Sequence, residues 1–183
     1  YIDMHAHANK RGAFFFGNAM SALDQVQNVM YAKLVSLNSP YFDFVNSNFT
    51  ETNMFAVGVN GEGKDGSSRV TLFQETGFVH SYTIECNYVC GLPVNAVAGL
   101  PGMPGEEVDV TGGSPSPKYT PVHFHDVGRS LMVSILDLQN KNPASRLPAT
   151  SFRTVRGVSL WVQRALLVDA WEQHRRMLAI AQG

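Results

Sequence analysis

Short segments with the character of β-strands alternate with amphipathic helices, and this order constrains the fold more than any other feature of the sequence. The helical segments carry apolar residues three and four positions apart, and the clearest strand is rich in β-branched and aromatic residues. The predicted strands cover residues 1–7, 69–73 and 80–88, and the predicted helices cover residues 21–37, about 121–141 and 158–181. Strands that alternate with helices are typical of the α/β class.

Local signals mark the ends of two predicted helices. Ser21 with Asp24 resembles a capping box at the start of the helix predicted at residues 21–37. The segment Asn38-Ser39-Pro40 ends this helix. The predicted apolar face of this helix is formed by Leu23, Val26, Met30, Leu34 and Leu37. Thr120 before Pro121 gives the second helix a capping residue and a proline at its first position.

Composition limits the classes of partner. Apolar residues make up 44% of the 183 residues, which is enough for the core of one domain. A net charge of −1 gives no electrostatic basis for binding nucleic acid or a membrane surface. No apolar run is long enough to span a bilayer. Two cysteines, Cys86 and Cys90, are too few for a secreted disulfide framework and fit a reducing compartment.

The pattern Asp3-x-His5-x-His7 is the first candidate site. Side chains two positions apart lie on the same face of a strand, and a neutral imidazole is a common zinc ligand. Asp3 shares this face and could orient a ligating ring. The alternative is that both histidines are polar residues at a strand end that form local hydrogen bonds.

Glu85 is the second candidate, because it interrupts a run that otherwise reads as a buried strand. Burying a carboxylate is costly unless it is paired or neutralised. Glu85 is therefore a candidate general base or metal partner. The alternative is an edge strand on which Glu85 points to solvent.

Other charged residues give weaker signals. Lys64 and Arg69 flank a polar turn, where they could bind a carboxylate or simply be solvated. His123 and His125 lie near a helix start, and residues two apart do not share a helix face. A structural or surface role is therefore favoured for this second pair of histidines.

Several ordered segments together resemble the cytosolic carboxypeptidases. The segment DMHAHANKRGAFFFGN at residues 3–18 is similar to the family pattern D-L-H-G-H-x-x-K-R-G-x-F-x-Y-G-N. Further similarity lies at Asn48-Phe49, Asn53-Met54, residues 64–70 (KDGSSRV), residues 80–88 (HSYTIECNY), Tyr119-Thr120 and residues 127–129 (VGR). Within the family, the details are closest to the type-five group, the tubulin deglutamylases.

This resemblance implies a fold and a domain division. The chain would be the C-terminal part of an α/β zinc carboxypeptidase catalytic domain, with a mixed sheet flanked by helices. Residues 1–145 would belong to that domain and include a loop rich in glycine and proline at 91–117. Residues 146–183 would form a C-terminal helical segment.

The resemblance also implies residue roles. His5 would be the third ligand of one zinc ion, supported by Asp3 and His7, and Glu85 would be the general base. Lys64 and Arg69 would line the pocket for an acidic terminal residue.

The family's other two zinc ligands belong to a His-x-x-Glu motif that precedes this segment. No histidine here has a glutamate three positions later. We therefore expect the chain to be a fragment that is inactive alone, within an active parent protein.

The implied reaction is hydrolysis of a C-terminal or branch-point glutamate from the acidic tails of proteins. The implied partners are glutamylated tubulin or other proteins with acidic tails, in the cytoplasm and in association with the cytoskeleton. Two alternatives remain open at this point. One is a catalytically inactive relative that binds acidic tails. The other is a fragment of a metal-dependent amidohydrolase, whose (β/α)8 barrel can also open with a histidine pair on a strand.

Overall fold

The structure is a computed structural model of the chain, and it describes residues 1–57, 63, 66–105 and 118–181. At residues 171 and 173–181 it describes the backbone alone. Lys64 and the second half of the predicted 91–117 loop lie outside the described residues. Residues 91–105 of that loop contain neither helix nor strand.

The described residues contain one three-stranded mixed sheet. Its strands are β1 (Ile2–His7), β2 (Ala13–Phe16) and β3 (Tyr82–Asn87), in the spatial order β1-β3-β2. β1 pairs with β3 in parallel, and β2 pairs with β3 antiparallel. The two strands predicted at residues 1–7 and 80–88 are therefore confirmed, and the sheet places them side by side.

The helices account for most of the remaining regular structure. They are α1 (Ala22–Asn38), α2 (Glu51–Met54), α3 (Ser68–Thr76), α4 (Pro121–Leu138) and α5 (Val155–Ala181), with a 3₁₀ turn at Leu147–Ala149. The three predicted helices are confirmed as α1, α4 and α5. Among the helices of the described residues, none combines the length and hydropathy that a bilayer crossing requires.

The prediction of a strand at residues 69–73 is wrong, because this segment is part of α3. Ser67, in extended backbone, is the N-cap of this helix, and Gly77 ends it with a left-handed φ of 69°. Glycine adopts this conformation without the steric cost that a Cβ would impose, and it is the usual terminator of a helix. The nine residues between these two positions are long enough for two and a half helical turns.

The predicted helix starts differ in how well they match the structure. Thr120 caps α4 as expected, in a capping box whose second partner is the His123 side chain. At α1, by contrast, the Ser21 hydroxyl donates to the Asp24 carboxylate at 3.0 Å and forms no hydrogen bond with the backbone. Leu23, predicted on the apolar face of α1, is 79% exposed.

Two apolar clusters hold the fold together. The first lies between one face of the sheet and helices α1 and α4, and includes Phe15, Tyr31, Ile84 and Leu131. The second packs α1 against α5 through Met30, Leu34, Leu147, Val158 and Val162. Because α1 belongs to both clusters, it connects the sheet to the C-terminal helix.

Lys33 adds a polar link between α1 and α5. Its ammonium group lies 4.9 Å from the ring centre of Trp161, 5.1 Å from that of Phe44 and 5.7 Å from that of Phe152. Burial among these rings lowers the pKa of Lys33. Cations within about 6 Å of an aromatic face are attracted to it, so Lys33 strengthens the attachment of α5.

Two glycines give a matched pair of stability predictions. A Cβ at Gly91 would overlap the Tyr119 hydroxyl and lie 2.8 Å from the Cα of Gly12, whereas a Cβ at Gly128, inside α4, would meet nothing within 4 Å. We expect Gly91→Ala to destabilise the fold by about 1–3 kcal/mol, as overpacking does. Gly128→Ala should stabilise it by about 0.5–1 kcal/mol, because alanine favours a helix interior. Urea unfolding measures the change in the free energy of unfolding for each variant. Equal changes in the two variants would contradict this packing.

Candidate metal-binding and catalytic site

The polar face of the sheet brings two of the predicted site residues together. His5 on β1 is the register partner of Glu85 on β3. Its Nδ1 lies 4.0 Å from Oε1 of Glu85. The opposite face of the sheet packs on α1 and α4. The alternation of side chains along β1 and β3 therefore separates the His5–Glu85 face from the core, and Phe14 of β2 lies on that same face.

The two partners differ in exposure. The His5 side chain is 53% exposed, whereas the Glu85 side chain is 12% exposed. The prediction that Glu85 sits in a largely buried strand therefore agrees with its position in the centre of the sheet. A nearly buried carboxylate beside an accessible imidazole is a suitable arrangement for proton transfer at the surface of the sheet.

Asp3 occupies the other side of the His5 ring. Its Oδ2 lies 3.0 Å from Nε2 of His5, and its own side chain is 30% exposed. Histidines that bind metals usually direct their second nitrogen to a carboxylate, which fixes the ring and its tautomer. The Asp3–His5 pair has this geometry, with Nδ1 directed to the side of Glu85.

His7 has a different environment from His5. Its Nδ1 accepts hydrogen bonds from the backbone N–H groups of Asn9 at 3.1 Å and Lys10 at 2.9 Å. The ring also packs edge-on against Phe14, with 5.4 Å between centroids. The contacts of His7 thus organise the turn between β1 and β2.

Asn87, to which the sequence reasoning assigned no role, secures the same turn from β3. Its side-chain NH₂ donates to the carbonyl of Lys10 at 2.8 Å, and its Oδ1 accepts from the N–H groups of Val89 and Cys90. The only sign of this role in the sequence is that an asparagine lies two positions after Glu85. Asn87 and His7 together hold the ends of the strands that carry Glu85 and His5.

The donor set fits part of a zinc site. His5 supplies an imidazole with an orienting carboxylate, and Glu85 supplies a second carboxylate next to it. In the described part of the chain, no group of three or more His, Cys, Asp or Glu side chains could hold a metal ion. Structural and catalytic zinc sites use three or four protein ligands. His5 and its neighbours would therefore need ligands from outside the described residues.

Arg69 lies at the start of α3 and is 2% exposed. Its guanidinium donates to the Gly17 carbonyl at 2.9 Å, to Asn18 Oδ1 at 2.8 Å and to Asn53 Oδ1 at 3.0 Å. Its carbonyl accepts from the side chains of Asn18 and Ser81. Burial lowers the pKa of Arg69. Three separate motif segments thus meet at this one arginine.

The remaining candidates have environments different from that of the His5–Glu85 pair. The His123 ring packs against Tyr41 and is stacked on Tyr119, at the start of α4, and its Nδ1 is 2.9 Å from the Thr120 hydroxyl. His125 is exposed on the same helix. Both positions agree with the structural or surface role that the sequence favoured. Cys86 and Cys90 are free thiols, and burial raises the pKa of Cys86 to about 11.

Comparison with curated proteins gives matches that all carry one family name. The chain is 44% identical over 149 residues to cytosolic carboxypeptidase-like protein 5 of Danio rerio, which covers 80% of the chain. The proteins of the same name from Mus musculus and Homo sapiens are 39% identical over 172 and 170 residues, which covers 90% and 88% of the chain. The chain is a relative of the cytosolic carboxypeptidases. The resemblance to the type-five group is therefore confirmed.

These matches cover only part of the relatives. The chain spans 17% of the length of the Danio rerio protein and 19% of that of the Mus musculus protein. No family model matches the chain. The matches show which proteins the segment is similar to, and the α/β architecture of the described residues fits part of a carboxypeptidase domain.

The described residues do not support the amidohydrolase alternative. A (β/α)8 barrel is built from eight parallel strands. β2 runs antiparallel to β3, the strand that carries Glu85. The segment that contains the histidine pair is similar to cytosolic carboxypeptidases over most of its length, which favours that family over a barrel.

Proposed function

We propose that this chain is part of the catalytic domain of a zinc metallocarboxypeptidase. The observation that carries the proposal is the pairing of His5 with Glu85 across β1 and β3, with Asp3 on the far side of the imidazole. An oriented imidazole beside a largely buried carboxylate combines a metal ligand with a proton acceptor. The names of the relatives support the same class of enzyme.

In this proposal the residues of the chain have separate roles. His5 binds one zinc ion, and Asp3 fixes its ring. When bound, zinc would supply Lewis acidity at the scissile carbonyl and at an attacking water. Glu85 takes the proton from that water at a carboxylate oxygen and later returns it to the leaving amine. The remaining ligands come from other parts of the protein, in a His-x-x-Glu motif.

The proposed substrate is a C-terminal or branch-point glutamate on an acidic protein tail, with glutamylated tubulin as the partner. The proposed location is the cytoplasm, where the protein would associate with the cytoskeleton. Lys64 and Arg69 are the proposed cations of the glutamate pocket. Because the guanidinium of Arg69 is held by hydrogen bonds to Gly17, Asn18 and Asn53, the proposal gives Arg69 a role in positioning its neighbours as well as a charge.

The direct test uses the full-length protein with His5→Ala. We expect the variant to hold at least about tenfold less zinc, because loss of even an outer-shell partner costs about 10- to 100-fold in metal affinity. Release of glutamate from a peptide that ends in several glutamates should fall with the zinc content. Zinc is measured by atomic emission and glutamate by an enzyme-coupled assay.

His125→Ala is the matched control, because His125 is exposed on α4. It should keep zinc content and glutamate release at the level of the unmodified protein. Two results would contradict the proposal: full zinc content in His5→Ala, or an unmodified protein that binds acidic peptides and releases no glutamate. The second result would support the inactive tail-binding alternative.

A further inference from the structure

A cavity lies between the end of α4 and the start of α5, on elements other than those that carry His5 and Glu85. Its volume is about 190 Å³, and its lining includes Asp137, Asn140, Arg153 and Val155. A water molecule occupies about 30 Å³ in the liquid. The cavity therefore has room for a ligand of roughly six water volumes.

One wall of the cavity is a buried carboxylate. Asp137 is 2% exposed and lies in the last turn of α4. Its two oxygens accept hydrogen bonds from the side-chain amides of Asn38 and Asn142, both at 2.8 Å. Among the described residues no cation lies within ion-pair distance of it. Buried carboxylates are normally paired, and the end of a helix adds further negative potential.

The opposite charge lines the same cavity. Arg153 precedes α5 and forms no ion pair with any described residue. Beside it, Thr154 caps the first turn of α5 through a hydrogen bond from the N–H of Gly157. The N-terminus of a helix favours negative groups. A negative site and a positive site therefore face one cavity without contact between them.

The backbone supports a specific role for this cavity. Asn140, with φ of 54°, and Arg153, with φ of 62°, are the non-glycine residues with positive φ in the described part of the chain, and both line it. Asparagine at the end of a helix commonly adopts this conformation, but arginine does so rarely. Strained residues cluster at binding sites.

We propose that this cavity binds a free α-amino acid with a short aliphatic side chain. Its ammonium group contacts Asp137, and its carboxylate contacts Arg153 and the first turn of α5. Leu147, Pro148 and Val155 form the apolar wall against which the side chain packs. The proposal does not depend on the carboxypeptidase activity, since none of the residues of the His5–Glu85 face takes part.

The test is a calorimetric titration of the full-length protein with L-valine. We expect saturable binding, and at least about tenfold weaker binding of N-acetyl-L-valine and L-valinamide, which each lack one charge; a tenfold change corresponds to about 1.4 kcal/mol. Arg153→Gln should weaken valine binding by at least about tenfold as well. This variant should fold, because Arg153 is exposed and its side chain forms no hydrogen bond with the described residues.

Arg156→Gln is the matched control, since Arg156 is exposed one turn further along α5 and does not line the cavity. It should bind valine as tightly as the unmodified protein. Absence of saturable valine binding, or equal affinity of the Arg153→Gln variant and the unmodified protein, would overturn the proposal. Equal binding of the two blocked analogues would overturn it as well.

Discussion

Replacing Arg69 with alanine should destabilise the protein by about 3–5 kcal/mol. The substitution leaves two buried acceptors, Gly17 O and Asn18 Oδ1, and the partly buried Asn53 Oδ1 without their donor. Each buried polar group that loses its partner costs about 1–3 kcal/mol, and the vacated volume adds to this. Because small domains have about 5–15 kcal/mol of stability in total, this is one of the largest effects expected of a single substitution in the chain. Urea denaturation followed by circular dichroism measures it.

Two further variants separate structure from substrate binding. Arg69→Lys keeps the charge, but one ammonium group cannot reproduce the planar fork of a guanidinium, so we expect an intermediate loss of stability. Arg156→Ala, at an exposed position on α5, should change stability by less than about 0.5 kcal/mol. If Arg69 acts only on substrate, Arg69→Lys would instead keep full stability and lose activity on acidic tails more than on neutral ones.

Glu85→Gln should lower glutamate release by about a hundredfold to ten-thousandfold in the full-length protein, which is the usual contribution of a general base. Glutamine has nearly the shape of glutamate but cannot accept the proton. Because the proposal gives Glu85 no bond to zinc, the zinc content should stay close to that of the unmodified protein. Measurement of zinc and of glutamate release on the same sample tests both parts together.

Glu75→Gln is the control for this experiment, since Glu75 is exposed on α3. It should release glutamate at the rate of the unmodified protein. Release of glutamate by Glu85→Gln at the rate of the unmodified protein would contradict the general-base assignment. A large loss of zinc from the same variant would instead make Glu85 a ligand.

Local sequence signals predicted those elements whose ends are determined by neighbouring residues. The start of α4 followed from Thr120 and Pro121, because capping and the fixed φ of proline act within one turn. The low exposure of Glu85 followed from the apolar residues on both sides of it. In both cases the deciding interactions lie within a few positions of the residue.

The wrong prediction of a strand at α3 also came from local sequence signals, which here favoured a strand over a helix. Val70, Thr71 and Phe73 favour a strand by composition, and this weighed more than the helix signals at Ser67 and Gly77. The structure makes the segment helical, with Arg69 and Val70 buried side by side in its first turn. Tertiary packing decides between the two states in such short segments.

The contacts of Arg69 were beyond prediction from local pattern. Arg69 reaches Gly17 and Asn18, which are 52 and 51 positions away in the chain. Neither hydrophobic periodicity nor secondary-structure propensity predicts a contact between residues so far apart in the sequence. The resemblance named the separate segments as motifs, and the structure shows that they share one buried hydrogen-bond network.

The parallel pairing of β1 with β3 has a consequence for the order of folding. The paired residues His5 and Glu85 lie 80 positions apart in the chain (85 − 5). Contacts this distant must first overcome the entropy of closing a long loop, so parallel pairing is intrinsically slow. We therefore expect His5 to meet Glu85 late in folding, after local helices have formed. The same entropy makes the pairing of His5 with Glu85 vulnerable in partial unfolding, so the proposed site can come apart while helical content persists.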